Sequence, residues 1–450
     1  MIQTLVIAIP GIVALLVCLR RGPERAFLNV YLPALLLLPQ HFGWTISGQL
    51  TFADTAMLPI AAFLLLWSKT KWQWSTIDFL VIAYIAIGVV AEGMNKGYKL
   101  GSQNVALQEV CSIFLPYFAA KQMFRHPEFG VDVAKRVAAL LAVVAIFSVY
   151  EFRMGLNLFT WPFESISPAY GAIRGGYTRI AGPYYHALSL GLMMAFAFQF
   201  ARWLEWNGVW NDRMRFLPIS KVRFCELAIA AGSIMSLSRG PWLAAACGAV
   251  VVAVCRAQNR KRAILWLVLV TIVIGGPIYT RFNAYVSVDP MAARDVLQED
   301  AAYRNKLIPA YIPVIEERAT WGWGVGGFPV VEGMWSVDNG YLFMALTWGV
   351  YALAIMVALF VWPPIRLAMF SLPLRRNDPR ALAAFSMISI FVMYAVMDFT
   401  ASGGGAPWTI LIIVTGWTAT LLKAAAPELA VEEVWSSPRT QLEGFRRVMV

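Results

Sequence analysis

Arg239 lies in the run Ser236-Leu237-Ser238-Arg239-Gly240-Pro241, between two apolar stretches, residues 224–238 and 241–255, of about fifteen residues each. A helix needs roughly 20 residues to span a bilayer, so the turn between the stretches is predicted to lie below the membrane surface. A guanidinium at that depth requires an anion as its partner, and the N–H groups of the helix start that Pro241 favours also attract negative charge. The alternative is an arginine that snorkels from the turn.

The composition indicates a chain whose solvent is mostly lipid. Of its 450 residues, 59% are hydrophobic and only 14% are charged, which predicts an all-α polytopic membrane protein. The five cysteines lie in or at the ends of apolar stretches and lack metal-ligand spacing, so we assign them no chemistry. The three histidines join no metal-binding pattern either, and no metal or cofactor is predicted.

Long apolar runs predict about 12 to 13 transmembrane helices in one integral membrane domain, residues 1–423. The spans lie near residues 2–19, 26–41, 51–67, 76–93, 106–122, 134–152, 186–203, 224–238, 241–255, 263–280, 340–362, 384–400 and 407–423. The first run has its arginines after it, which favours a retained helix over a cleaved signal. The residues after the membrane domain, 424–450, are predicted to form a mobile cytoplasmic tail.

The positive charges follow the alternation of the loops. If the N-terminus lies outside, most of the 37 Lys and Arg residues fall in every second loop, and these loops all lie on the same side of the membrane. The positive-inside rule marks that side as cytoplasmic. The net charge of +11 then requires no nucleic-acid partner. The segments 153–185, 236–241 and 281–338 meet on the opposite, extracytoplasmic face, and treating 224–255 as one helix would break this pattern.

The segment 281–338 is predicted to be one large extracytoplasmic loop between late helices. Its middle, residues 303–312, has the pattern of a short amphipathic helix. A glycine-rich turn follows at 321–328, and its glycines are predicted to let backbone approach a ligand closely. Trp321 and Trp323 beside them suit either a sugar face or the ordinary interfacial belt.

Four motifs in this order resemble the superfamily of O-antigen ligases and of O-antigen or exopolysaccharide polymerases. They are Arg179-Ile180-Ala181-Gly182-Pro183-Tyr184-Tyr185-His186, Ser238-Arg239-Gly240, Arg304 followed by Gly322-Trp323-Gly324-Val325-Gly326, and Asp338-Asn339-Gly340-Tyr341-Leu342. The resemblance covers roughly residues 170–360. It implies a bacterial inner-membrane glycosyltransferase, active on its extracytoplasmic face, that takes a glycan from undecaprenyl pyrophosphate and passes it to an acceptor without a metal.

The resemblance also implies the roles of single residues. Arginines would neutralise the pyrophosphate, because the guanidinium fork binds phosphate oxygens bidentately. Arg239 ranks first, then Arg179 and Arg304, with Arg174 and Arg294 as weaker candidates. The other predicted substrate contacts are Tyr185, His186, Asn339 and Trp323.

Asp338 stands where many ligases of the superfamily carry histidine, which favours an exopolysaccharide or O-antigen polymerase over a ligase that joins glycan to lipid A-core. As a catalytic residue it would accept the proton of the acceptor hydroxyl or orient that hydroxyl. The alternative role is a helix N-cap. The predicted partners are the lipid-linked oligosaccharide, the glycan acceptor and membrane lipids, and a chain-length regulator is implied by the family alone.

A proton-coupled transporter or flippase is the competing prediction. Six acidic residues lie in or near the spans, and intramembrane carboxylates are functional candidates by default. They are Asp54, Asp78, Glu92, Glu109, Glu226 and Asp398. Against this prediction, the chain shows no evident internal repeat of the kind that many transporters have.

Overall fold

The computed structural model of the protein describes residues 2–45, 49–67, 72–161, 173–184, 186–215, 217–288, 292–334, 336–401 and 404–436. Within these residues the chain is predominantly helical, as predicted. The helices are α1 Ile2–Arg21, α2 Pro23–Ala26, α3 Leu32–Leu37, α4 Phe52–Trp67, α5 Thr76–Lys96, α6 Gln103–Glu109, α7 Leu115–Met123, α8 Pro127–Met154, α9 Ala187–Trp206, α10 Lys221–Met235, α11 Arg239–Arg256, α12 Arg260–Val286, α13 Val296–Glu317, α14 Gly340–Ser371, α15 Pro379–Asp398 and α16 Ala406–Ser436.

Short elements complete the fold. Three π-helical turns, Phe27–Tyr31, Tyr98–Ser102 and Val110–Phe114, connect or precede helices. Two antiparallel hairpins are formed by β1 Gly43–Thr45 with β2 Gln49–Thr51, and by β3 Ile173–Arg174 with β4 Tyr177–Thr178.

The predicted spans all coincide with helices or with runs of consecutive helices. Among the described residues, eight helices are long and apolar enough to cross a membrane: α5, α8, α9, α11, α12, α14, α15 and the first part of α16. Helix α15 lies at the centre of the bundle, and 83% of its apolar segment is buried. Helix α12 lies outside the bundle, and 0% of its apolar segment is buried. The chain is therefore an all-α polytopic membrane protein.

Two predicted boundaries differ from the structure. Helix α12 continues to Val286, so the long loop begins at residue 287, six residues later than predicted. Helix α16 continues to Ser436, so the first part of the predicted tail is helical, and residues 437–450 lie outside the described residues.

The long loop has a small core of its own. Helix α13 extends the predicted amphipathic segment in both directions and carries Tyr303, Leu307, Tyr311 and Val314 on one face. These side chains pack against the start of α14. The spacing of three and four residues explains this single apolar stripe.

A break in α14 anchors the glycine-rich turn. Gly349 has φ 86° and ψ 178° inside the helix, which releases carbonyls of the preceding turn. The N–H of Trp323 donates to Leu346 O at 2.8 Å, and the N–H of Gly324 donates to Thr347 O at 2.9 Å. The glycines thus bring the backbone of the turn close to α14.

A buried ion pair joins α5 to α7. Lys121 Nζ lies 2.6 Å from Asp78 Oδ2, and both side chains are at most 3% exposed. The Tyr117 hydroxyl donates to Asp78 Oδ1 at 2.6 Å, and Lys121 lies 4.1 Å above the ring of Trp72. Asp78 also completes a capping box with Ser75 at the start of α5.

We expect Lys121→Met to destabilise the protein, because it leaves the buried carboxylate of Asp78 without its cation. Removing one partner of a buried pair costs about 3–5 kcal/mol, which a lowered midpoint of thermal unfolding in detergent would report. Lys135→Met is the matched control, because Lys135 and Asp132 form an exposed pair at 3.7 Å worth at most about 1 kcal/mol. Equal midpoints for the two variants would contradict a structural role for the buried pair.

Candidate functional site

Three helix starts and one helix end meet at the predicted site. A Cβ on Gly240, in the first turn of α11, would lie 2.5 Å from Thr400 Oγ1, just after α15. A Cβ on Gly340, the first residue of α14, would lie 2.2 Å from Asp398 Oδ1 at the end of α15. Gly191 of α9 has the same close relation to Pro241, at 2.8 Å. Because these glycines carry no side chain, the starts of α9, α11 and α14 all pack closely in one region.

The hairpin between α10 and α11 is present as predicted. The two helices have 15 and 18 residues and are joined by Ser236, Leu237 and Ser238. Leu237 has φ 47°, a conformation that is uncommon for residues other than glycine and costs free energy. The turn therefore needs contacts from elsewhere in the fold to hold it.

Two of the predicted arginines supply those contacts. Arg174 Nη1 donates to Leu237 O at 3.0 Å, and Arg179 Nη2 donates to Ser238 Oγ at 2.7 Å. Arg179 Nε also donates to Ser236 O at 3.4 Å. Motifs nearly sixty residues apart in sequence are thus joined at a strained turn.

The segment that carries these arginines is shaped before it reaches the turn. Gly175 and Gly176 have φ 60° and 80° between β3 and β4, as a type I′ hairpin turn requires. Beyond the hairpin, the buried carboxylate of Glu151 accepts from the N–H groups of Ala181 at 2.9 Å and Gly182 at 3.0 Å. Asn157 Nδ2 donates to Gly182 O at 2.7 Å. Arg179 therefore projects from a fixed backbone.

Arg239 is the exposed member of the cluster. It is the first residue of α11, and Ser238, the N-cap, makes no side-chain cap because its hydroxyl donates to Ser236 O at 2.9 Å. The pKa of Arg174 is lowered, first by partial removal from water and then by the positive charge of Arg239. Burial and then the charge of Arg174 lower the pKa of Arg179. These effects show that the positive charges lie close enough to repel one another.

Arg304 and Asp338 join the cluster from the long loop. Arg304 Nη2 lies 3.7 Å from Asp338 Oδ2, with 36% and 41% of the side chains exposed. Asp300, one turn before Arg304, lies 3.4 Å from Arg174 Nη2. The Tyr303 hydroxyl accepts from the N–H of Ser336 at 2.8 Å and donates to its carbonyl at 2.7 Å. These two hydrogen bonds join α13 to the segment that carries Asp338.

The helix cap at this point belongs to Asn339 rather than to Asp338. Asn339 Oδ1 accepts from the N–H of Leu342 at 3.0 Å, and its side chain is buried. The alternative role for Asp338 as an N-cap is therefore wrong, because α14 starts one residue later than that role requires. Asp338 keeps a half-exposed carboxylate that faces the arginines, whereas Asn339 serves the helix.

His186 lies beside Asp338 at the start of α9. Burial lowers the pKa of His186, the charge of Asp338 opposes this shift, and the charge of Arg179 adds to it. The net direction is downward from the usual value of 6.5. This shift favours the neutral form of the His186 imidazole.

The remaining predicted site residues have other settings. Trp323 donates from Nε1 to Val314 O at 2.9 Å and lies under Arg318, 4.3 Å from the ring centroid, so its described contacts are within the loop core. Arg294 is exposed, and the contacts of the described residues do not connect its side chain with the other arginines. Tyr185 lies outside the described residues.

Two positioning carboxylates were not predicted for this role. Glu151 was placed inside a span, and Glu92 was considered only as a proton carrier. Glu92 accepts from the N–H of Val325 at 3.0 Å, from Trp348 Nε1 at 3.3 Å, and pairs with Lys96 at 2.7 Å. Each lies within about a turn of a helix end, which is the one sequence signal that favours a partner in a neighbouring loop.

Among the described residues, no group of three or more His, Cys, Asp or Glu side chains is arranged to hold a metal ion. The predicted site residues that the structure brings together are Arg174, Arg179, Arg239, Arg304, Asp338 and His186.

The comparisons with known proteins agree with the predicted resemblance. The model of the O-antigen ligase family matches residues 225–357. This range includes the hairpin at Arg239, helix α13, the glycine-rich turn and Asp338, and it ends within α14. No curated protein matches the chain. The match supports the predicted resemblance to the superfamily of O-antigen ligases and polysaccharide polymerases, and it implies a glycosyl-transferring enzyme of the ligase or polymerase kind.

Proposed function

We propose that the protein polymerises exopolysaccharide or O-antigen repeat units that are linked to undecaprenyl pyrophosphate, at the outer face of the bacterial inner membrane. The observation that carries the proposal is the convergence of Arg174, Arg179, Arg239 and Arg304 at the start of α11. In this reaction the growing chain leaves its lipid carrier and joins the incoming lipid-linked unit. The lipid pyrophosphate supplies the driving force, so no nucleotide is required.

In this proposal the arginines have two different roles, binding the pyrophosphate and holding the turn before α11. Arg239 has an exposed guanidinium and binds the pyrophosphate directly, together with the N–H groups at the start of α11. Arg174 and Arg179 hold the turn through some of their five N–H groups and add positive charge with the rest. This fixed charge stabilises the negative charge that develops on the leaving pyrophosphate as the glycosidic C–O bond breaks. The proposed mechanism uses no metal.

Asp338 accepts the proton of the attacking acceptor hydroxyl in this mechanism. The oxygen of that hydroxyl forms the new bond to the anomeric carbon, while the electron pair of the old bond leaves with the pyrophosphate. Asp338 suits this role because Asn339 performs the capping and leaves its carboxylate half exposed. Neutral His186 beside it offers a hydrogen bond that orients the hydroxyl.

The ligase alternative uses the same residues with a different acceptor, such as lipid A-core. The transporter alternative is weakened for three of its six carboxylates, because each has an ion-pair partner. Asp78 pairs with Lys121, Glu92 with Lys96, and Glu226 with Arg223 at 2.9 Å. A proton-coupled carrier in vesicles would respond to an uncoupler, whereas a transferase driven by lipid pyrophosphate would not.

Arg239→Ala is expected to lower glycan transfer by on the order of 100-fold or more, because it removes a cation at the leaving group. Arg239→Lys should restore only part of the activity, since an ammonium group cannot make the forked contact. Transfer is measured with lipid-linked donor at matched protein levels in membranes. Arg281→Ala, which removes another exposed arginine, is the control and should keep its activity; full activity of Arg239→Ala would remove Arg239 from the site.

Glu151→Ala is expected to raise the KM for the lipid-linked donor, because Ala181 and Gly182 lose their acceptor and Arg179 loses its fixed position. A buried N–H left without a partner costs about 1–3 kcal/mol, so assays are run well below the unfolding midpoint of the variant. Glu151→Gln keeps one acceptor oxygen and should recover part of the donor affinity. A KM that stays at the wild-type value in both variants would contradict the positioning role.

The glycan size distribution decides between polymerase and ligase. Cells that lack the protein are complemented with wild type, Arg239→Ala or Asp338→Asn, and their glycans are separated on gels. We expect long polymer with wild type and single lipid-linked repeats with both variants. Long chains that remain on the lipid carrier would identify a ligase, and variants that match wild type would exclude the site.

If His186 rather than Asp338 were the base, Asp338→Asn would stay active and activity would fall in acid only below the ordinary histidine pKa of 6.5.

A further inference from the structure

A cavity of about 580 Å³ lies inside the bundle next to the arginine cluster. Helices α4, α5, α6, α9, α14, α15 and α16 all contribute to its wall. His186 and Gly340 line the cavity at the same helix starts that carry the cluster. Its volume falls within the range of roughly 300–1,000 Å³ that is typical of ligand sites.

Three of the six acidic residues of the spans line this cavity. They come from different helices: Asp54 from α4, Glu109 from α6 and Asp398 from α15. Thr51 donates to Asp54 Oδ2 from both N and Oγ1 at 2.8 Å, and Asp398 lies against Gly340. They are not grouped as metal ligands. Among the described lining residues there is no lysine or arginine, so the cavity has the opposite charge character from the cluster.

Buried polar atoms without a partner in the protein supply an independent observation. The hydroxyls of Tyr31 and Thr347 and Oε2 of Glu109 are buried and accept or donate no hydrogen bond. Tyr31 is 1% exposed and Thr347 is 2% exposed, and all three residues line the cavity. Buried polar groups are ordinarily paired, so these atoms are suited to hydrogen bonds with a ligand.

The wall also has an aromatic part. Trp348 and Trp408 line the cavity with Tyr84 and Tyr394, and Trp408 lies 5.5 Å from each of these tyrosine rings. Such rings present apolar surface with polar edges. A ligand of this site must therefore combine hydroxyl groups with an apolar face and must lack negative charge.

We propose that this cavity binds a sugar ring without negative charge, a neutral hexose or N-acetylhexosamine of the glycan, while the arginine cluster holds the pyrophosphate. The inference rests on the proposed function and specifies its substrate class. The border between the two regions lies at His186 and Gly340, which places the glycosidic bond next to Asp338. Uronic acids and other anionic sugars are excluded from the ring position in the cavity by its three carboxylates.

The test measures sugar binding directly, by saturation-transfer NMR on the purified full chain in nanodiscs. The probes are methyl glycosides of glucose, galactose and N-acetylglucosamine, with methyl glucuronide as the anionic comparison. We expect at least one neutral glycoside to bind and the glucuronide not to bind. Failure of every neutral glycoside to bind wild-type protein overturns the proposal.

The matched variants are Tyr31→Phe and Thr347→Val. Each removes a hydroxyl that makes no bond in the protein, so the fold should keep its unfolding midpoint while sugar affinity falls by roughly 3- to 10-fold. Ser389→Ala is the control, since the Ser389 hydroxyl is also buried and unpartnered but does not line the cavity. Sugar binding that survives the Tyr31→Phe and Thr347→Val double variant overturns the proposal.

Arg239→Ala separates this proposal from the proposed function. It should bind the glycosides like wild type while losing transfer, because the cavity is distinct from the pyrophosphate position. Full transfer by Arg239→Ala with intact sugar binding would reject the transferase site and leave the sugar site standing.

In transfer assays, Tyr31→Phe should raise one KM: that of the donor if the cavity holds the donor sugar, or that of the acceptor if it holds the acceptor. An unchanged KM for both overturns a role in the reaction.

Discussion

The hydrogen bonds from Arg174 and Arg179 to the turn between α10 and α11 are the contacts on which the site depends. The turn contains Leu237 in a left-handed conformation, and its carbonyls point toward a segment from an earlier part of the chain. Without those guanidiniums, the carbonyl of Leu237 would lose its partner, the carbonyl of Ser236 would keep only the hydroxyl of Ser238, and the start of α11 would lose its fixed position. The same bonds bring two positive charges beside Arg239. One set of contacts therefore stabilises a strained backbone and concentrates the charge that an anion requires.

Concentrated positive charge is costly in a partly desolvated place, and the fold offsets the cost with carboxylates at different depths. Asp300 lies beside Arg174, and Asp338 lies beside Arg304. Both pairs are long, at 3.4 and 3.7 Å, and half exposed, so they are weak contacts that an anionic ligand can replace. Glu151 acts differently, because it binds backbone N–H groups and leaves the guanidiniums free to face the site.

The sequence predicted the features that depend on local patterns. Hydropathy locates a span wherever a long apolar run occurs, and the short lengths on both sides of Arg239 indicate a hairpin. The sequence did not predict contacts between distant segments, such as the contact of Glu92 with Val325, 233 residues further along the chain. It also did not predict the break at Gly349, which lies inside an unbroken apolar run. It also could not choose between Asp338 and Asn339 as the cap, since both residue types are good N-caps. The close packing of Gly340 against Asp398 sets that one-residue register.

The acidic residues of the spans show how the fold separates two chemical environments. Asp78, Glu92 and Glu226 have cationic partners and hold helices or loops in place. Asp54, Glu109 and Asp398 line a cavity whose described wall contains no lysine or arginine. Phosphate is favoured on the arginine side and repelled on the carboxylate side, whereas a neutral sugar can enter the latter. A sugar phosphate bound across the boundary would therefore adopt one orientation, with its glycosidic bond near His186 and Asp338, and this orientation follows from charge alone.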